Sequence, residues 1–186
     1  MNPFKSLLGT FAVLGTWPDW ESYFDLSRKG LKVSFICLAG SLLPLWMVAQ
    51  GIQIERARVL DAEVASPQLL PFVITVGLWL FSFPAMAYLI AMILEKMDRT
   101  RPWIITRNWA VFWLSVLTGA CFGLVVLDIL PFAAANGVAF SAYLGLLAID
   151  IRLTQKVAGF NWGTAILIAC VIVAVGLTFV QLSISR

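Results

Sequence analysis

Histidine is absent from this 186-residue chain, and charge is scarce: Asp, Glu, Lys and Arg together make up 12% of it. The missing histidine removes the commonest general base, the commonest transition-metal ligand and the usual switch near neutral pH. The three cysteines, Cys37, Cys121 and Cys170, lie far apart without metal-ligand spacing and read as packing residues. No phosphate-cradling glycine loop, nucleophile elbow or His-based zinc pattern occurs, and the run "EKMDRTR" lacks the spaced aspartates and glycines of the lipid alcohol phosphotransferases. The expectation is therefore no catalytic residue, no metal, no cofactor and no nucleic-acid partner.

What is present is apolar: 61% of the residues are hydrophobic, with a mean hydropathy of +0.92. Soluble domains carry about 25% charged residues and lack uncharged runs of about 20, the length that crosses a hydrocarbon core of ~30 Å. Several such runs occur here. The expected fold is all-α, a polytopic membrane protein with five transmembrane helices at about residues 31–53, 67–94, 108–127, 129–149 and 160–184. Helices are required because in hydrocarbon each backbone N–H and C=O must be bonded within its own segment. The fourth run is short and contains Asn136, Gly137 and Ser141, so a tilted or partly unwound helix is one reading and a four-span chain another.

Ahead of residue 31 stands a cytoplasmic segment, residues 1–30, in which Phe4, Leu7, Leu8, Phe11, Ala12 and Leu14 recur at helical spacing, with Asn2 as a cap and Pro3 at the first helical position. The stretch lacks the small-residue cleavage site of a signal peptide. It is expected to form a short amphipathic helix lying on the membrane.

Lysine and arginine set the expected orientation. Ten of the thirteen fall on one side: Lys5, Arg28, Lys29, Lys32, Lys96, Arg99, Arg101, Arg107, Arg152 and Lys156. Only Arg56, Arg58 and Arg186 fall on the other. This places the N-terminus in the cytoplasm and the C-terminus outside. Trp17, Trp20, Trp103, Trp109 and Trp162 all fall beside cytoplasmic helix ends, where an indole is expected to sit half buried with its N–H wet. Residues 95–107 become a cytoplasmic loop whose first turn is kept helical by Glu95 with Arg99 and Asp98 with Arg101, and which Pro102 ends. Pro44 and Pro84 fall inside spans and predict kinks. Gly119 with Gly123, and Ser141 with Gly145, have the spacing that lets helix backbones approach, within one chain or along a dimer seam.

The candidate contact site lies at the cytoplasmic rim, where Glu95, Asp98, Arg99, Arg101, Arg107, Asn108 and Asp150 are expected to converge, with Arg152 and Lys156 nearby. Arginines can hold a lipid phosphate and carboxylates an amine, although insertion topology alone also demands cytoplasmic arginines. Asp128 reads as a helix-end residue.

The order of features, with "YFDLSRKGLKVSF" leading into the first of five closely spaced helices and a basic link before the last, resembles the Yip1-like five-span membrane proteins and small bacterial integral membrane proteins of similar layout. That resemblance implies a bacterial cytoplasmic-membrane protein that organises membrane or binds membrane partners without catalysis. The expected partners are membrane lipids together with a second copy or another membrane protein. Two further readings stand beside it. One is a transporter or channel subunit that depends on Asn136 or Asp150. The other is a lipid-modifying enzyme using Asp98, Asp150 and nearby arginines.

Overall fold

A computed structural model describes residues 3–15 and 17–184, with side chains of the last helix described through Gly176 and at Thr178. Asn2, Arg186 and the side chain of Gln181 lie outside the described residues. Helices α1 (Pro3–Leu14), α2 (Arg28–Gly40), α3 (Leu42–Leu60), α4 (Leu69–Ile93), α5 (Met97–Val126), α6 (Phe132–Lys156) and α7 (Trp162–Ile184) are joined by short connections, with a 3₁₀ turn at Trp20–Tyr23. Among the described residues there is no strand. Four stretches are long and apolar enough to cross a membrane: Arg28–Leu60, which is α2 and α3 together, then α4, α5 and α6. Large apolar side chains stay exposed along them, Ile36, Leu43 and Phe140 among others, as expected of helices bathed in lipid rather than water. The apolar part of α7 described with side chains, Trp162–Gly176, is shorter.

The helix ends follow from local chemistry. Ser27 caps α2 by accepting hydrogen bonds from the N–H groups of Lys29 and Gly30, both at 3.2 Å, while Asp25 accepts from the Ser27 N–H at 3.0 Å. The hydrogen bonds from Ser27 hold the Asp25 carboxyl below its usual range. Gly30 has a further reason to be glycine, since a Cβ there would collide with the Asp25 carbonyl. Where the first span is expected to kink, α2 stops at Gly40 and α3 starts at Leu42. Pro44 is the cause: it has no N–H for the Gly40 carbonyl, and its ring crowds that oxygen. Three helices end on an acidic residue in the left-handed region, Asp61 (φ 49°), Glu95 (φ 57°) and Asp128 (φ 57°). In each case the next N–H bonds back five residues, Ala62 to Ala57, Lys96 to Ala91 and Ile129 to Leu124. Asp128 is thus a helix-end residue, as its position suggests.

The structure corrects the expected 95–107 loop. The connection is only the turn around Glu95, and α5 begins at Met97 and continues unbroken through Pro102. The hydrogen bond that Pro102 cannot donate would go to the carbonyl of Asp98, an exposed residue of the first turn, where water can replace it. Against that small loss, every residue from Trp103 to Val111 is buried. Tertiary packing outweighs local propensity here. The expected helical pairs do not form as such: Glu95 lies outside the helix, and Asp98 meets its neighbour Arg99 at 3.4 Å on the surface.

α5 is surrounded at this end by α1, α2, α4 and α6, and it packs along α3 farther on. The α3–α5 approach is closest where Gly119 faces Pro44, so close that a Cβ would strike the proline backbone, and Gly51 faces the Phe122 ring at 2.6 Å from where its Cβ would lie. Gly123 and Gly145 have nothing within 4 Å of that point, and Ser141 is exposed with its hydroxyl bonded to the Gly137 carbonyl of its own helix. Of the four small residues expected at helix contacts, Gly119 alone makes a close one. Gly137, Ser141 and Gly145 line an open groove of about 610 Å³ beside Leu114. α6, whose sequence allows a partly unwound helix as one reading, is a continuous helix of 25 residues.

Candidate functional site

α5 and α6 run antiparallel in a constant register. Phe122 shares a core cluster with Ala135, Val111 shares one with Leu146, and Arg107 meets Asp150. Each step forward on α5 is matched by an equal step back on α6. That register puts two oppositely charged residues, 43 positions apart in sequence, at one level of the seam. Arg107 Nε donates to Asp150 Oδ1 at 2.7 Å and Nη2 donates to Oδ2 at 3.1 Å, the bidentate fork that matches guanidinium to carboxylate. The side chains are 8% and 1% exposed. On its other face the guanidinium carbon lies 4.0 Å from the centroid of the Phe83 ring on α4. Arg107 therefore ties three helices together.

One residue on, and about 100° round α5, Asn108 donates to Ser34 Oγ on α2 at 3.1 Å. One turn before Arg107, the register faces Trp103 toward Thr154, and both are buried. Trp103 packs edge-on against Phe83 at 5.5 Å between ring centroids and against Phe160 at 6.0 Å. Among the described residues, the indole N–H groups of Trp103 and Trp109, Asn108 Oδ1 and Thr154 Oγ1 make no hydrogen bond. The half-buried, wet indoles expected at the boundary are found only at Trp17 and Trp162; Trp20, Trp103 and Trp109 are buried in the core. Enclosure of α5 on all sides buries Trp103 and Trp109, and Trp20, from the 3₁₀ turn, is covered in the core cluster that also holds Val13 and Phe24.

Arg152 and Lys156 turn toward α1 instead of outward. Lys156 Nζ donates to the carbonyls of Ala12, Gly15 and Trp17 at 3.1, 3.1 and 2.9 Å, and Arg152 Nη2 donates to the Gly15 carbonyl at 3.3 Å. These oxygens lie at and just beyond the C-terminus of α1, where orphan carbonyls and the negative end of the helix dipole welcome cations. Arg152 also lies over the Trp162 ring at 5.3 Å. The N-terminal half of α1 is held separately: Trp113 Nε1 donates to Ser6 Oγ at 3.1 Å, and the Phe4 and Trp113 rings are 6.1 Å apart. The side of α1 that meets the bundle carries Ser6, Gly9, Ala12 and Val13, while Leu8 and Phe11 lie on the opposite side and are 51% and 58% exposed; Phe4, beside the Trp113 ring, is 70% exposed.

The predicted site residues thus divide into three groups. Arg107, Asn108 and Asp150 are brought together and buried; Arg152 and Lys156 clamp α1; Glu95, Asp98, Arg99 and Arg101 are exposed at the start of α5. Asp98 precedes Arg107 by nine residues, about 13 Å of helix rise, so the structure does not assemble Asp98 and Asp150 into one constellation. Sequence reasoning missed Phe83, Ser34, Thr154 and Trp113. The usable signal was helical spacing: Thr154 is four residues from Asp150 and Trp103 four from Arg107, which places each pair on one face. No group of three or more His, Cys, Asp or Glu side chains capable of holding a metal occurs among the described residues. No protein-family model, curated protein or solved structure matches the chain.

Proposed function

We propose that this chain is a five-span protein of the bacterial cytoplasmic membrane, with its N-terminus inside and its C-terminus outside, that works through lipid and helix–helix contacts without catalysing a reaction. The Yip1-like layout belongs to the same reading, as does a role as a membrane organiser or a small subunit of a membrane assembly. One observation carries it. Arg107, Asp150 and Lys156 are bonded to one another or to α1, in the Arg107–Asp150 fork and the Lys156 clamp, whereas the exposed surface along the long helices is largely apolar.

The depth of the bilayer follows from the same residues. From Arg107 to Asp128 along α5 there are 21 positions, about 31 Å of helix rise, which matches a hydrocarbon core of ~30 Å. Asp150 and Lys32 stand at the inner boundary, and Glu55, Arg58 and Asp128 at the outer one. With α7 as the fifth crossing, ten of thirteen basic residues face the cytoplasm.

The test is purification in mild detergent followed by mass spectrometry of what co-purifies, with maleimide labelling of single cysteines for topology. The proposal expects retained lipid or a stoichiometric membrane partner, with Arg101→Cys labelled only from the cytoplasmic side. The buried pair and its unbonded neighbours favour one second reading, a proton- or ion-coupled transporter subunit. Solute flux in proteoliposomes that vanishes in Asp150→Asn, from protein that still folds, would replace the first reading with the second.

A further inference from the structure

We propose that α1 is a wedge inserted obliquely into the inner leaflet, with Phe4 deepest and Phe11 shallowest, and that the partner its outward stripe fits is the acyl chains of that one leaflet. The inference rests on the embedding just described and sharpens it, since a helix lying flat on the membrane would hold all its residues at one depth.

The two ends of α1 are pinned at different levels of the bundle. Its C-terminal carbonyls are bound by Arg152 and Lys156, which follow Asp150 on α6 and so lie on the water side of the ion pair. Its N-terminal end is bound by Trp113, six residues past Arg107 on α5, about 9 Å of rise toward the midplane. Side chains lean toward the N-terminus of their own helix, so Trp113 leans outward and Lys156 leans inward, and the true descent is less than the combined rises. A descent on the order of 10 Å remains, over an α1 segment from Ser6 to Gly15 that is itself about 13 Å long.

The outward stripe then makes chemical sense. Phe4, Leu8 and Phe11 recur at helical spacing along one exposed stripe, which meets α5 at Trp113 through Phe4, and Leu117, one turn beyond Trp113 and 50% exposed, extends the same apolar surface down α5. Small residues face the protein because Gly9 must clear the Phe24 ring, 2.6 Å from where its Cβ would lie. Lys5, exposed beside Phe4, can extend its stem through the apolar layer and return its ammonium to the headgroups. A wedge of this shape takes up area in one leaflet only, so it responds to how tightly that leaflet is packed.

Nitroxide labels at Phe4→Cys, Leu8→Cys and Phe11→Cys, in a chain with Cys37, Cys121 and Cys170 changed to serine, test this in vesicles of phosphatidylethanolamine and phosphatidylglycerol. The collision ratio of oxygen to a water-soluble nickel chelate reads depth. The expected order is position 4 deeper than 8, and 8 deeper than 11, with a spread of about 8 Å. Equal depths at all three positions, or a label at position 4 as open to nickel as one at position 11, would overturn the wedge. A Leu117→Cys label separates this from the broader reading: if it lies outside hydrocarbon, the embedding itself is wrong. Should the cysteine-free chain fail to fold, benzoylphenylalanine at position 4 or 11 of the otherwise unchanged chain gives the same decision. Position 4 is expected to crosslink farther down the acyl chain than position 11, and crosslinks to the same carbons would refute the proposal.

Discussion

The two ends of the α5–α6 hairpin carry charge in opposite ways. At the basic end, Arg107 and Asp150 are fork-bonded and shielded by Phe83, with Asn108 and Ser34 bonded beside them. At the far end, Arg58 meets Asp128 at 3.5 Å and Glu55 at 3.2 Å, with side chains that are 58%, 92% and 27% exposed. Water screens the second set and not the first. Charges at the far end mark where the helices stop, whereas the pair at the basic end decides how three helices are joined.

The sharpest way to break this contrast is to strand one buried charge. Asp150→Ala leaves Arg107 without its partner and is expected to cost about 3–5 kcal/mol of stability in denaturant unfolding of the detergent-solubilised protein. A cost below about 1 kcal/mol would mean that water already reaches the pair. Next in size is the α3–α5 contact. Gly119→Ala meets the Pro44 backbone, which cannot move aside cheaply, and should cost about 1–3 kcal/mol, whereas Gly123→Ala, with open space around it, should stay within about 0.5 kcal/mol. Thermal unfolding of the two variants side by side reads the difference. Equal losses would place the helix contact elsewhere.

Those two glycines show what is and is not legible in a sequence of this kind. The long uncharged run of α4 declared itself, because a span must be apolar throughout, whereas the shorter run of α6, broken by Asn136 and Ser141, left a four-span reading open. Gly119 and Gly123 look alike in sequence, and only the path of α3 decides which of them touches a proline. Charges near 95–107 suggested a loop for a sound local reason, since Pro102 and six ionisable residues disfavour a buried helix. That the helix continues depends on α1, α2, α4 and α6 enclosing it, which is a long-range fact. Arg107 and Asp150 were expected at one rim, yet as a grip for lipid; basic residues at span ends are demanded by insertion whatever else they do, so their mutual bonding left no trace in the pattern.

Smaller effects refine the basic end. Lys156→Met keeps the apolar stem but removes three hydrogen bonds to the end of α1, and should cost about 1–2 kcal/mol. Faster proteolysis between Gly15 and Trp20, with the rest of the bundle intact, is the diagnostic result. At the start of α2, the Asp25 carboxylate titrates below the ordinary value of about 3.9 because Ser27 hydrogen-bonds its charged form. Its support for the cap is complete above that ordinary value and disappears as pH falls through the lower folded value. Amide exchange at Lys29 and Gly30 should therefore quicken only in acid, and Asp25→Asn should abolish that pH dependence. The least effect belongs to the far end: Arg58→Ala, breaking a solvent-exposed pair, should change stability by no more than about 1 kcal/mol, and less in high salt.

A double-mutant cycle on the buried pair bears most directly on the central claim, that these charges are a structural joint between α5 and α6. Unfolding free energies of Arg107→Met, Asp150→Leu and the two combined would be measured in one detergent. The account predicts that the apolar double variant recovers most of what either single change loses, with a coupling of about 2 kcal/mol or more. Losses that simply add, within about 0.5 kcal/mol, would contradict it.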